Sequence, residues 1–143
     1  MSLPTEILLV EDDPNDVDLT LRVFRDHQLA NRIRVFRDGA EVVEYLLPED
    51  RSQPVDVPRF ILLDLKLPKI SGLDVLRRIR SDERTRTIPV VMLTSSRQIP
   101  DIREAYALGV NSYLCKPVEF DAFAEVVRQL GMYWMLLNEP PTS

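Results

Sequence analysis

Five short strand-like segments, each followed by an amphipathic stretch long enough for a helix, constrain the fold of this chain more tightly than any other feature. Ile7–Val10 and Phe60–Leu63 are apolar at every position, as a strand covered on both faces would be. Residues 33–36, residues 88–93 around Pro89, and residues 112–115 complete the set, with Pro89 placed near the start of its strand. Asp13-Pro14-Asn15-Asp16 supplies a cap, a proline at the first helical position and an acid three residues after the cap. Val17, Leu21 and Phe24 then fall on one helical face. Asp38 to Glu41 repeats the start signal before Val42, Val43, Leu46 and Leu47, and Ser71 can cap a helix carrying Leu73, Leu76 and Ile79. A fourth helix is expected over residues 100–108, stopped by Gly109, and a fifth along Phe120, Phe123, Val127, Leu130 and Trp134.

Strict alternation of strand and helix predicts an α/β fold. Parallel neighbours need crossover helices, and right-handed crossovers place helices on both faces of a five-stranded parallel sheet. The expected strand order is 2-1-3-4-5. A chain of 143 residues leaves room for one such domain, expected over residues 5–138. Residues 48–59, with three prolines, read as a surface loop, residues 131–138 as an extended C-terminal helix and residues 139–143 as a disordered tail.

Charge narrows the partners. Lys and Arg number 18 against 23 Asp and Glu, a net charge of −5 that disfavours binding to nucleic acid through phosphate neutralisation. The N-terminal MSLPTEILLVEDD has no basic flank, and no apolar stretch approaches the ~20 residues that span a bilayer. One cysteine, Cys115, allows no internal disulfide, so a cytoplasmic protein without membrane contact is expected.

In an open α/β sheet the ligand site lies beyond the carboxyl ends of the strands, where strand order reverses. Strand one ends in Glu11-Asp12-Asp13, strand three in Asp64, strand four in Thr94-Ser95-Ser96 and strand five in Lys116-Pro117. Crowded carboxylates repel, and a hard cation resolves the repulsion; Mg²⁺ suits carboxylate and water ligands and shares its shell with phosphate oxygens, with Mn²⁺ as the alternative. Asp64 can then attack a phosphoryl group to form an acyl phosphate, with Lys116 and Thr94 binding the phosphoryl oxygens.

The segments LLVEDDPND, ILLDLKLP with ISGLDVL, VVMLTSS and GVNSYLCKP resemble, in order and spacing, the receiver domains of bacterial response regulators, over nearly the whole chain. The resemblance implies the flavodoxin-like receiver fold and a switch phosphorylated on Asp64 by a sensor histidine kinase. It implies that Asp12 binds metal directly, Glu11 mostly through water, and Lys66 through its backbone carbonyl. Thr94 and Tyr113 resemble the pair that moves inward on phosphorylation, and Lys116 the lysine before a cis-proline. The loop at 48–59 and the C-terminal MYWMLLNEPP resemble the small single-domain response regulators of cyanobacterial and bacterial phytochromes, which implies a phytochrome kinase and a homodimer contact on the last helix. Tyr133, Trp134 and Leu137 lie in a run more apolar than a solvated helix end, in keeping with a covered dimer surface.

The expected protein is therefore no enzyme beyond its own phosphorylation and dephosphorylation, and without an output domain it would signal through protein contacts. Two other readings compete. A phosphatase of the haloacid dehalogenase type also uses an aspartyl nucleophile after a strand, but expects an acid where this chain has Lys66; a pseudo-receiver would bind partners without phosphate. Lys66 and Ser96 flank the approach of a hydrolytic water and would set the phosphoryl lifetime.

Overall fold

A computed structural model describes residues 7–27, 32–53 and 57–129. Strands β1 (Ile7–Val10), β2 (Ile33–Phe36), β3 (Phe60–Leu63), β4 (Val90–Thr94) and β5 (Ser112–Cys115) alternate with helices α1 (Pro14–Arg25), α2 (Gly39–Leu46), α3 (Gly72–Ser81), α4 (Ile99–Ala107) and α5 (Phe120–Gln129). All neighbouring strands run parallel, in the order β2-β1-β3-β4-β5.

Period-two alternation divides each inner strand between two cores. Leu8, Val10, Ile61 and Leu63 join Val42 and Leu46 of α2, Val75, Leu76 and Ile79 of α3, and Ala105 of α4 on one face. Ile7, Leu9, Phe60 and Leu62 join Phe24 of α1 and Phe123, Val126 and Val127 of α5 on the other. This double coverage is why β1, β3 and β4 are buried throughout.

The helix starts follow their cap chemistry. Asp13 accepts from the amides of Asn15 (2.8 Å) and Asp16 (3.4 Å), Asp38 from that of Glu41 (2.7 Å), and the Ser71 hydroxyl from that of Asp74 (3.2 Å). Helix α4 differs: it starts at Ile99, and its cap Gln98 makes no side-chain bond, so Pro100 falls inside the first turn. β4 starts at Val90 rather than Ile88. Pro89 has no N–H, although its carbonyl accepts from the Ile61 amide (3.0 Å), and Val90 gives its own N–H to the Asn111 side chain (2.8 Å), so the strand register begins at Val90.

Part of the 48–59 loop is tied to the α3–β4 connection, where Arg84 donates to the Pro48 carbonyl (3.0 Å) and Arg51 pairs with Asp82 (3.3 Å). His27 stacks on Phe120 and sits 2.9 Å from the Val23 carbonyl at the end of α1. Residues 131–143, expected as helix and tail, lie outside the described residues, and Tyr133, Trp134 and Leu137 with them.

Candidate functional site

The carboxyl ends of β1, β3, β4 and β5 meet at one edge of the sheet. Register places Val10 beside Leu63, so Glu11 and Asp64 leave the sheet side by side, and the Asp64 amide donates to the Val10 carbonyl at 3.0 Å. Two strand ends are pinned as well: Glu11 N–H donates to Phe36 O (2.9 Å) and Lys116 N–H to Thr94 O (2.9 Å). The Lys116–Pro117 peptide bond is cis.

Gly72 sets the rear wall. A Cβ there would stand 1.9 Å from the Asp64 carbonyl oxygen and 2.8 Å from Leu65 Cα, so only a glycine lets α3 start this close to β3. Its amide reaches the Leu65 carbonyl at 2.8 Å.

Within this frame the Lys116 ammonium is 2.7 Å from Glu11 Oε2, 2.8 Å from Asp16 Oδ2 and 2.9 Å from Asp64 Oδ2. Glu11 and Asp64 are 3% and 6% exposed, while Asp12 beside them faces solvent. Carboxylate oxygens of Glu11, Asp12 and Asp64 all lie within 4.8 Å of one another, a group of acids able to hold a metal ion.

One ammonium among so many acids divides their protonation. Burial pushes the Glu11 carboxyl up to about 8, helped by its hydrogen bond to Asp64 and opposed by Lys116. Burial acts on Asp64 in the same sense but is outweighed by hydrogen bonds from Glu11, Lys116 and Thr94 and by the lysine charge, so Asp64 is held below its ordinary value. Lys116 is likewise raised: burial disfavours its charge, and the bonds to Asp16, Glu11 and Asp64 more than restore it. Of the pair, Asp64 is thus the carboxyl held toward its ionised form and Glu11 the one that keeps its proton more readily.

The remaining candidates surround this centre. Thr94 is buried, and its hydroxyl accepts from the Ser96 amide at 3.4 Å. Tyr113 is half-buried; its hydroxyl donates to the Ser96 carbonyl (3.0 Å), and burial raises its pKa. Ser96 also donates to Asp101 of α4 (2.6 Å), so the β4–α4 connection joins strand end, helix and tyrosine. Lys66 is exposed, with its backbone N–H 3.4 Å from Asp64 Oδ1. Cys115 is half-buried, its sulfur 3.8 Å from the Ser96 carbonyl.

Asp16 is the site residue that sequence reasoning missed. Its place after the cap marked it only as a helix-start acid, and nothing local signals a lysine 100 residues away. The available hint is positional: α1 begins where β1 ends, so its first turn borders the same sheet edge.

Comparison with known proteins agrees with this geometry. The response regulator receiver domain family matches residues 7–128. The probable methanogenesis regulatory protein FilR2 of Methanothrix harundinacea (strain 6Ac) is 42% identical over 139 residues, covering 96% of this chain and 88% of that protein. The solved structure of the bacteriophytochrome response regulator AtBRR is 47% identical with a TM-score of 0.80, covering 96% of this chain and 99% of that one. Response regulator Rcp1 of Synechocystis sp. (strain ATCC 27184 / PCC 6803 / Kazusa) is 33% identical over 132 residues, covering 92% of this chain and 90% of that protein. Its Mn²⁺-bound crystal structure gives a TM-score of 0.72 at 34% identity, covering 98% of this chain and 99% of that one.

Proposed function

This chain belongs to the response regulator receiver domain family, and from that premise we propose that Asp64 accepts a phosphoryl group from a sensor histidine kinase. The observation that carries the reading is the Lys116 ammonium 2.9 Å from an ionised Asp64, beside two further acids at the sheet edge. An Asp64 oxygen attacks phosphorus, the bond from phosphorus to the donor imidazole nitrogen breaks, and the imidazole leaves with the electron pair. Lys116 and the Thr94 hydroxyl take the phosphoryl oxygens, so charge moves onto groups already in place.

The donor set fits a hard divalent cation. Glu11, Asp12 and Asp64, with the Lys66 backbone carbonyl, would hold Mg²⁺ or Mn²⁺, and the Mn²⁺-bound form of Rcp1 supports the assignment. A bound cation neutralises negative charge that would otherwise repel the phosphodonor.

Thr94 and Tyr113 form the switch. Both contact Ser96, so a Thr94 hydroxyl turned to donate to a phosphoryl oxygen moves relative to the Ser96 amide it accepts from and alters the seat of the tyrosine. Residues 5–138 act as one receiver domain that works in the cytoplasm and signals through altered protein contacts. The relatives named as bacteriophytochrome response regulators favour a phytochrome kinase as the partner. A homodimer through Tyr133, Trp134 and Leu137 completes the proposal; Trp134→Ala and Leu137→Ala should shift the protein toward monomer on sizing, and an unchanged profile would rule that surface out.

Intact mass after incubation with acetyl phosphate and Mg²⁺ tests the reading. Wild type should gain one phosphoryl group and Asp64→Asn none. An equal adduct on both proteins, or none on either, would refute it.

A further inference from the structure

We propose that Asp16 is a positioning residue that holds the Lys116 ammonium beside Asp64 for phosphoryl transfer. The inference rests on the reading of Asp64 as the phosphoacceptor. An ammonium has three N–H donors, and here each has its own carboxylate, at 2.7, 2.8 and 2.9 Å. Two of those carboxylates, Glu11 and Asp64, are also members of the group of acids that can hold a metal; Asp16 is not. Asp16 is therefore the one partner of Lys116 committed to the lysine alone.

The architecture suits that task. Asp16 projects from the first turn of α1, which is fixed by the Asp13 cap and by Val17 in the core, and Lys116 follows the end of β5. Their bond joins segments that follow β1 and β5, which lie on either side of β3 in the sheet. Lysine is a flexible four-carbon tether with costly rotamer freedom, and a charged partner that stays in place narrows that freedom before the phosphodonor arrives. When Asp64 takes the phosphoryl group, the donor now aimed at its Oδ2 can pass to a phosphoryl oxygen, while the Asp16 bond persists. Asp16 is 31% exposed in its side chain, so its carboxylate stays hydrated and needs no second protein partner.

A purely structural role, as an acid at a helix N-terminus, is the competing account, and the two differ in what they couple to. The test is a double-mutant cycle on phosphorylation by acetyl phosphate with saturating Mg²⁺, comparing wild type, Asp16→Asn, Lys116→Met and the double variant. Asp16→Asn should lower the maximal rate about tenfold, with the acetyl phosphate concentration at half-maximal rate and the Mg²⁺ affinity little changed. In the Lys116→Met background the same substitution should change nothing. Asp16→Glu, which keeps the charge, should recover part of the rate. An unchanged rate in Asp16→Asn, or an equal loss with and without Lys116, overturns the inference while leaving Asp64 phosphorylation standing. No adduct on wild type overturns both. Melting temperatures of all five proteins identify any loss that comes from unfolding, and a rate loss explained by unfolding in Asp16→Asn counts against the inference.

Discussion

Gly72→Ala is the substitution whose effect the structure fixes best. The added methyl would sit 1.9 Å from the Asp64 carbonyl oxygen, 2.8 Å from Leu65 Cα and 2.9 Å from the Asp64 carbonyl carbon. All three are backbone atoms, so no side chain can swing aside. Reaching ordinary van der Waals separation requires β3 and α3 to part by about 1.5 Å. Overpacking of this kind costs roughly 1–3 kcal/mol, with the upper end apt for a backbone clash; alanine returns about 0.5–1 kcal/mol through helix propensity. The net loss is about 2 kcal/mol, which lowers Tm by roughly 5–8 °C for a chain of this size. Because the displaced backbone carries Asp64, phosphorylation should slow as well, by up to about 10²-fold for a shift near 1 Å. Gly39→Ala is the control: its methyl would meet the Ile70 carbonyl oxygen at 2.0 Å, a similar clash on Ile70 rather than on Asp64 itself. Circular dichroism melts and acetyl phosphate labelling should show both variants destabilised but only Gly72→Ala slowed at the chemistry. A Gly72→Ala protein that melts and labels like wild type would show that the helix start tolerates a Cβ, and equal slowing in Gly39→Ala would show that the clash does not act through Asp64.

Other consequences are equally open to measurement. Lys116→Met should slow phosphorylation about 10²-fold or more by removing the ammonium paired with Asp64, measured by intact mass against time. Burial holds a proton on Glu11 up to about 8, so metal binding that needs the carboxylate must release it; calorimetric Mg²⁺ affinity should therefore rise as pH goes from about 6 to about 8, and a flat profile would contradict the assignment. The same raised pKa works against the metal-free fold, which should lose stability as pH climbs from 4.5, the ordinary value, toward about 8, with added Mg²⁺ offsetting the loss. Thr85→Val deletes the buried bond from the Thr85 hydroxyl to the Ile79 carbonyl (2.7 Å) and should cost about 1–3 kcal/mol in thermal melts, with phosphorylation unaffected.

The strands were legible because a parallel sheet covered on both faces needs continuous apolar runs, and β1, β3 and β4 are of that kind. Once the alternation was read, chirality of the crossovers left few topologies, and the site edge followed from strand direction alone. Boundaries were less legible where backbone bonding decides them. β4 starts at Val90, where the register with β3 begins, and its first amide goes to the Asn111 side chain, a contact across 21 positions. Asp16 illustrates the larger limit: as a local signal it is a helix-start acid, and only tertiary folding brings it 2.8 Å from Lys116. Tyr113 shows the same limit, since its bond to the Ser96 carbonyl depends on how β4 and β5 pair.

Asp64, and no other acid at the sheet edge, is proposed to carry the phosphoryl group. Borohydride reduces an acyl phosphate to the alcohol, so labelled protein trapped in this way and digested should contain homoserine in place of Asp64. Homoserine at Asp12, Asp13 or Asp16 instead, with Asp64 intact, would contradict this assignment.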